Sequence, residues 1–325
     1  MAMKTLTSAR TAIEGTKGSA LTVTRNLYAA DMSWNQSVAT IMPQELRNSY
    51  FQNFRAYPGL ENAEFTFAGD VTYDDMAFWL SVAVKGVPVV TGGGADKTWT
   101  AVPAGATDDL KAFTLEAGWV DFIGTYGNRW AGVQCDEYAI KFEKDKALTY
   151  TAKCTTFKGA VAITAYSASP ADRTNVTALG TTAKVYIDTS TIGSTQDTSV
   201  VSAEFTLKNQ LVELNTLDAT GTGQALYRPK PRDVGLKITR YLTSITELTA
   251  YIAKTERKIR LTTTGPTLGG SNYGLTLDFY GIPTDHKWAD VNGLIVEELT
   301  FDSIYDSTAT TDFSIVAVNS LATIS

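Results

Sequence analysis

Glu64-Phe-Thr-Phe-Ala-Gly-Asp-Val-Thr-Tyr-Asp-Asp-Met-Ala-Phe-Trp-Leu-Ser-Val-Ala-Val84 runs a strand straight into a helix. Phe65 and Phe67 alternate with Glu64, Thr66 and Ala68, the period of a strand with one buried face. Thr72 stands at the N-cap, with Asp75 three residues on, close to a capping box. Asp74 and Asp75 suit the positive end of the helix dipole. Met76, Trp79, Leu80 and Ala83 fall at i, i+3, i+4 and i+7, one apolar stripe.

The same unit recurs toward the C-terminus. Gly235 to Thr243 reads as a strand, Ser244-Ile-Thr-Glu247 as a capping box, and Leu248, Tyr251 and Ile252 as the stripe, displaced by 172 from Met76, Trp79 and Leu80. The preceding strands align at a displacement of 171. Downstream, Thr114-Leu-Glu116 matches Thr276-Leu-Asp278 at 162, and Asp136 to Lys141 matches Glu297 to Asp302 at 161. The expectation is a mainly β, α+β chain. It holds two copies of one strand–helix–strand–strand domain, over 31–158 and 199–325, with an arm over 1–30 and a linker with a short strand over 159–198.

The length of 325 residues suits two domains of ordinary size, and 44% hydrophobic residues suffice for a core in each. The net charge is −6, with −2 over residues 1–160 and −4 over 161–325. Neither half has a basic run, which argues against a phosphate-gripping nucleic-acid site. No apolar run reaches the length of a membrane span, and Met-Ala-Met-Lys-Thr-Leu-Thr-Ser lacks the core of a signal peptide, so the expected place of synthesis and assembly is the cytosol. Cys135 and Cys154 flank a hairpin in which opposite residues sum to 290 around the turn Lys144-Asp145-Lys146. In that register the thiols point to opposite faces, so reduced, structural cysteines are expected.

Within residues 1–30, Glu14 to Gly18 reads as a flexible joint, and Leu21, Val23 and Leu27 as a strand; the segment is either a frayed terminus or an arm on a neighbouring subunit. Asp31 to Ile41 is the first strand of copy one. Pro43 to Leu60 is a long loop carrying Arg47, Tyr50, Phe51, Phe54, Arg55 and Tyr57, residue types found at contact hot spots. Copy two has its counterpart at Asp218 to Pro231, with Tyr227 and Arg228. Such loops either contact a partner or fold back over their own core. Thr91-Gly-Gly-Gly94 lacks the ending and setting of a phosphate loop and reads as a hairpin tip. Gly118 to Gly132 reads as a link between strands, Ala183 to Asp188 as a strand, Val200 to Leu214 as a strand pair around Lys208-Asn209, and Asp312 to Val318 as the final strand.

Catalytic chemistry is sparse. His286 is the single histidine and reads as an exposed loop residue; it cannot build a His-rich metal site and has no nucleophile elbow to serve. The carboxylate pairs Asp74/Asp75, Asp108/Asp109, Asp136/Glu137 and Glu297/Glu298 read as architectural rather than as a glycosidase pair. No catalytic residue, cofactor or metal is therefore assigned.

Glu14-Gly-Thr, Glu64-Phe-Thr-Phe, Gly69-Asp-Val-Thr-Tyr-Asp-Asp-Met with its Trp-Leu helix, and Val185-Tyr-Ile-Asp188, in that order, resemble the major tail tube proteins of long, non-contractile-tailed bacteriophages. The resemblance implies a β-sandwich or half-barrel with one flanking helix in each copy. It implies subunits that close into rings edge to edge around a channel, stacked through the early long loops and terminal arms. Two copies per chain imply three-subunit, pseudo-sixfold rings in a virion tail, with tape-measure, tail-tip and tail-terminator proteins as partners. DNA would pass through the channel without specific binding. Asp136, Glu143, Glu298 and Asp302 are the candidate lumen-lining carboxylates on polar strand faces. Two competing readings stand beside this one: a two-domain β adhesin or carbohydrate binder of a tail tip or capsid surface, which the aromatic loop would serve, and an enzyme.

Overall fold

Period-two alternation governs most of this chain, and the fold is accordingly mainly β. The structure is a computed structural model that describes residues 7–43, 55–103, 109–120, 125–163, 170, 175–214, 225–291 and 293–324. The first half supplies β1 (Thr7–Ile13), β2 (Arg25–Asn26), β3 (Asp31–Ile41), β4 (Tyr57–Asp70) and a helix α1 (Tyr73–Trp79) prolonged by a π-helical turn (Leu80–Val84). There follow β5 (Val89–Thr91), β6 (Lys97–Ala101), β7 (Phe113–Val120), β8 (Thr125–Glu143), β9 (Thr149–Thr156) and β10 (Val161–Ile163). The second half supplies β11 (Lys184–Asp188), β12 (Val200–Lys208), β13 (Val212–Leu214), β14 (Ala225–Tyr227), β15 (Asp233–Tyr241) and α2 (Thr246–Ala253). It ends with β16 (Arg257–Leu268), β17 (Ser271–Val291), β18 (Leu294–Ser303) and β19 (Phe313–Asn319).

One run of antiparallel strands crosses the whole chain in the order β3–β4–β9–β8–β12–β15–β18–β17. It uses the C-terminal parts of the two longest strands, β8 and β17. Their N-terminal parts leave this run for two others, β2–β1–β7–β8–β10 and β11–β16–β17–β19–β6–β5. β8 and β17 thus turn the corner between layers, and the space enclosed holds the core. Phe65, Phe67, Trp130, Tyr138, Phe205, Phe279, Phe301 and Phe313 are all buried there. Aromatic rings pack across it, Phe65 edge to face with Trp130 at 5.0 Å and Trp79 stacked on Tyr138 at 5.4 Å.

The α1 sequence folds as its pattern dictates: Thr72 accepts from the Asp75 amide at 3.3 Å. Met76, Trp79 and Leu80 are core residues, but so is every other residue of the helix. Asp75 pairs with the buried Arg25, and Asp74 accepts from the Ser320 amide and hydroxyl, so the first-turn carboxylates hold β2 and the residue after β19 as well as facing the dipole. The outer side of α1 packs on β17 and β19, where the Asn319 side chain donates to the Tyr73 carbonyl at 3.0 Å.

Helix α2 departs from its sequence reading. Ser244 accepts from the Thr246 amide instead of the Glu247 amide, and Glu247 turns inward to the guanidinium of Arg257 at 3.0 Å. Burying that ion pair rotates the helix: Glu247 and Ala250 face inward, Leu248 and Tyr251 are half-buried, and Ile252 is exposed. The capping box is not formed because its acid has a stronger, charged partner.

The register of the β8–β9 hairpin follows the sum of 290 from Glu137↔Lys153 to Lys141↔Thr149. A β-bulge at Asp136 then adds one residue, and Cys135 lies opposite Cys154. Both thiols are buried on the apolar face and free, so the expectation that they point to opposite faces fails; what they lack is a bond, not proximity. The bulge has a cause: Asp136 turns outward to accept from the Leu211 amide at 2.7 Å.

Several other expectations need correction. Glu14 is not part of a flexible joint. It is a buried carboxylate that accepts from the Gly18 amide, the Thr114 hydroxyl and the Gly132 amide, and both glycines have positive φ, +75° and +72°. β1 pairs with β7 of its own chain, while Leu21 and Val23 lie outside strands, Val23 buried nonetheless. Much of Gly118 to Gly132 is strand. β12 and β13 do not pair with each other: Asn209 ends β12 by donating to the Ala83 and Cys135 carbonyls, and β13 pairs with β14. His286 sits within β17 with its ring buried. The matches at 162 and 161 join β7 to β17 and β8 to β18, strands that hold different places in the pairing order. The Gly-rich stretch is the tip of the β5–β6 hairpin as read, and that hairpin docks beside β19.

Candidate functional site

Alternation splits the eight-strand run into two chemically opposite faces. Phe65, Tyr150, Ile140, Phe205, Leu236 and Phe301 turn toward the core. The other face carries Glu64 and Asp70 on β4, Lys153 on β9, Glu137, Lys141 and Glu143 on β8, and Glu204 and Lys208 on β12. It continues with Asp233 and Lys237 on β15, Glu298 and Asp302 on β18, and Asp285 and Lys287 on β17. Each lysine on it lies beside a carboxylate: Lys153 at 2.5 Å from Glu137, Lys141 at 2.5 Å from Glu143, Lys208 at 3.8 Å from Asp233, Lys237 at 2.9 Å from Glu298 and Lys287 at 2.5 Å from Asp285. Glu64, Asp70, Glu204 and Asp302 add further acid. Lys141 and Lys146 hold the Glu143 carboxyl down at about 2, so this residue stays ionised through any mildly acidic medium. A surface of this kind repels polyphosphate and offers no cluster of uncompensated cations to grip it.

Of the four carboxylates expected on a polar face, Glu143, Glu298 and Asp302 stand on this one together. Asp136 does not. It is spent on the bulge, half-buried against Leu211, and burial pushes its carboxyl up.

The run also ends in two strand edges. Among the described residues the one strand paired with β3 is β4, and Asn35, Gln36, Ser37, Val38 and Thr40 along it are exposed. Among the described residues, 282–291 of β17 pair with β18 alone, and Trp288 is 63% exposed there. Edges of this length are templates for a further strand. Neither was singled out as a site from the sequence; the available signal was tryptophan in otherwise polar strands, at Trp34 and Trp288.

Next to the second edge lies a buried charge cluster. Arg240 donates from Nε to Glu297 at 2.6 Å and from Nη1 to Asp197 at 2.5 Å, and His286 Nε2 lies 2.9 Å from the other Glu297 oxygen. Tyr251 of α2 stacks on the His286 ring at 6.1 Å. Each charged group has an opposite partner, as burial demands. Among the described residues no group of three or more His, Cys, Asp or Glu is arranged to hold a metal ion, and no helix is long and apolar enough to cross a membrane.

Of the loop residues expected to make contacts, Arg47, Tyr50, Phe51 and Phe54 lie outside the described residues. Arg55 is exposed just before β4, and Tyr57 begins it, 46% exposed. Tyr227 is exposed on β14. Arg228 and Tyr227 line a 250 Å³ cavity with Lys17, Asp109 and Leu110, so the end of the second loop faces the turn after β1 across it. Comparison with protein-family models and with curated proteins gives no match.

Proposed function

We propose that this chain is a structural protein of a phage tail tube, built from two tandem tail-tube-type domains, each a β-sandwich or half-barrel with one helix. The order of strand pairing supports the duplication. β1, β3, β4, α1, β7, β8, β9 and β10 take up the same neighbours as β11, β12, β15, α2, β16, β17, β18 and β19. In both sets the bulge falls at the same place, at Asp136 and at Thr284.

The observation that carries the reading is the eight-strand run, which among the described residues is open at both edges and is acidic on one face. Repeated around an axis, such runs remove their own edges and enclose a channel. With two domains per chain, three chains make a pseudo-sixfold ring. The acidic face lines the channel, where like charge keeps DNA sliding. The loops Pro43 to Leu60 and Asp218 to Pro231 stack ring on ring. Tape-measure, tail-tip and terminator proteins complete the tail in the virion, after assembly in the bacterial cytoplasm. Electron microscopy of the purified protein tests this: tubes with a central channel support it, whereas discrete particles that bind glycans favour an adhesin.

A further inference from the structure

Within the eight-strand run the two halves of the chain meet where β12 lies beside β8, and that junction predicts a matching one between copies. At the internal junction β12 pairs with β8, from Ser202↔Glu143 to Lys208↔Glu137, with Phe205 opposite Ile140. Stepping strand by strand outward gives each position its counterpart. Phe205 faces Leu236, which faces Phe301, which faces Pro283 at the edge of the bulge. Trp34 faces Phe65, which faces Cys154, which faces Cys135 at the edge of the other bulge. Trp34 therefore occupies the place of Phe205. Ile140 lies as far beyond Cys135 as Trp288 lies beyond Pro283, so Trp288 occupies the place of Ile140.

We infer that a second copy of this chain docks its β3 antiparallel onto residues 285–291, with Trp34 of one chain opposite Trp288 of the other. The register then runs from Asp31 opposite Val291 to Ser37 opposite Asp285. These limits coincide with the ends of the strands themselves, since β3 begins at Asp31 and β17 ends at Val291. On the polar face Ser33 meets Ala289 and Asn35 meets Lys287, and no like charges are opposed.

Burial supplies a second, independent argument. Trp79 stacks on Tyr138 as Tyr251 stacks on His286, which fixes the correspondence of the helices. Tyr73, Leu80 and Ile140 are fully buried, covered at the internal junction. Their counterparts Ile245, Ile252 and Trp288 are 68%, 72% and 63% exposed. Three large apolar side chains are bare at the edge of the second half that corresponds to the covered edge of the first. What covers α1 is the layer of β17 and β19; the matching layer, β8 with β10, belongs to the first half of the incoming copy. The occupant is thus a second copy of the chain, head to tail.

The inference rests on the proposed assembly only in requiring self-association; it fixes which atoms meet. Two single variants, Ser33→Cys and Ala289→Cys, are mixed at assembling concentration and oxidised with diamide. Unsubstituted chain, whose two cysteines are buried, gives the background. The expected result is a disulfide-linked pair forming at least about tenfold faster than from Ser33→Cys with Asp285→Cys, which sits four residues along the same edge, some 13 Å away. Trp288→Glu should abolish the link while leaving thermal unfolding of the dilute chain unchanged, because the side chain is exposed in the single chain. Equal rates at the two positions, or tubes that form without the Ser33–Ala289 link, overturn the register while leaving the tube reading intact. A fast, specific link in closed rings that never stack supports the register and counts against the tube.

Discussion

Replacing Arg240 by methionine strands a carboxylate that has no access to water. Glu297 is fully buried, and its two oxygens take the Arg240 Nε at 2.6 Å and the His286 Nε2 at 2.9 Å. Arg240 also holds Asp197 at 2.5 Å. Removing one member of a buried ion pair costs about 3–5 kcal/mol, far above the value of an exposed pair, because the remaining charge stays desolvated. For a cooperative unit of 150–250 residues, with about 2–4 °C per kcal/mol, the melting temperature should fall by on the order of 10 °C. Replacing Arg240 and Glu297 together by methionine removes both charges and should recover most of that loss. By the proposed duplication the first half fills this place with Trp79, Tyr138 and Tyr150, an apolar solution to the same space. Urea denaturation of the wild type, both single variants and the double variant at a concentration below assembly closes the cycle. Losses that simply add, to within about 0.5 kcal/mol, would refute the claim that this cluster is a coupled, buried unit.

Glu143 should titrate near 2 by carbon-detected NMR, and Lys141→Met or Lys146→Met should move its midpoint up toward the ordinary value of 4.5. Because its carboxyl is held down in the folded chain, the stabilisation it contributes is present above about pH 4.5 and is lost as pH falls through about 2. Gly265→Ala would place a methyl group 2.7 Å from the Tyr73 ring and 3.0 Å from the Tyr273 Cβ, so a loss of about 1–3 kcal/mol in a melting experiment is expected if the Tyr73 ring of α1 lies against Gly265 of β16 and Tyr273 of β17. Thr72→Ala removes the N-cap of α1 and should cost about 1 kcal/mol by the same measurement, while Ser244→Ala, whose hydroxyl caps no Glu247 amide, should cost distinctly less.

What was legible in the sequence was whatever rests on local alternation and local turns. Phe65 and Phe67, the hairpin turn at Lys144 to Lys146, the limits of β3 and the Gly-rich tip between β5 and β6 are decided by residues within a few positions of themselves. What failed depended on partners outside the local pattern. The bulge that swings Cys135 beside Cys154 exists because Asp136 reaches the Leu211 amide, 75 residues away. The rotation of α2 follows from the Glu247–Arg257 pair, and a capping box spelled by Ser244 and Glu247 carries no sign that its acid will be recruited elsewhere. His286 looked like a loop residue because Pro283, Thr284 and Asp285 precede it, yet those residues form the second bulge of a strand that runs on to Val291. The two edges gave almost no local signal, since an edge is defined by the absence of a neighbour.

The most direct test of the account is a helical reconstruction of the protein after assembly at high concentration. It should show rings of three chains with sixfold-like symmetry, a continuous inner barrel in which residues 31–37 run antiparallel to 285–291 of the next chain, and Glu143, Glu298 and Asp302 facing the channel. A map in which both edges stay open to solvent, or in which the channel is lined by the opposite face of the sheet, would contradict it.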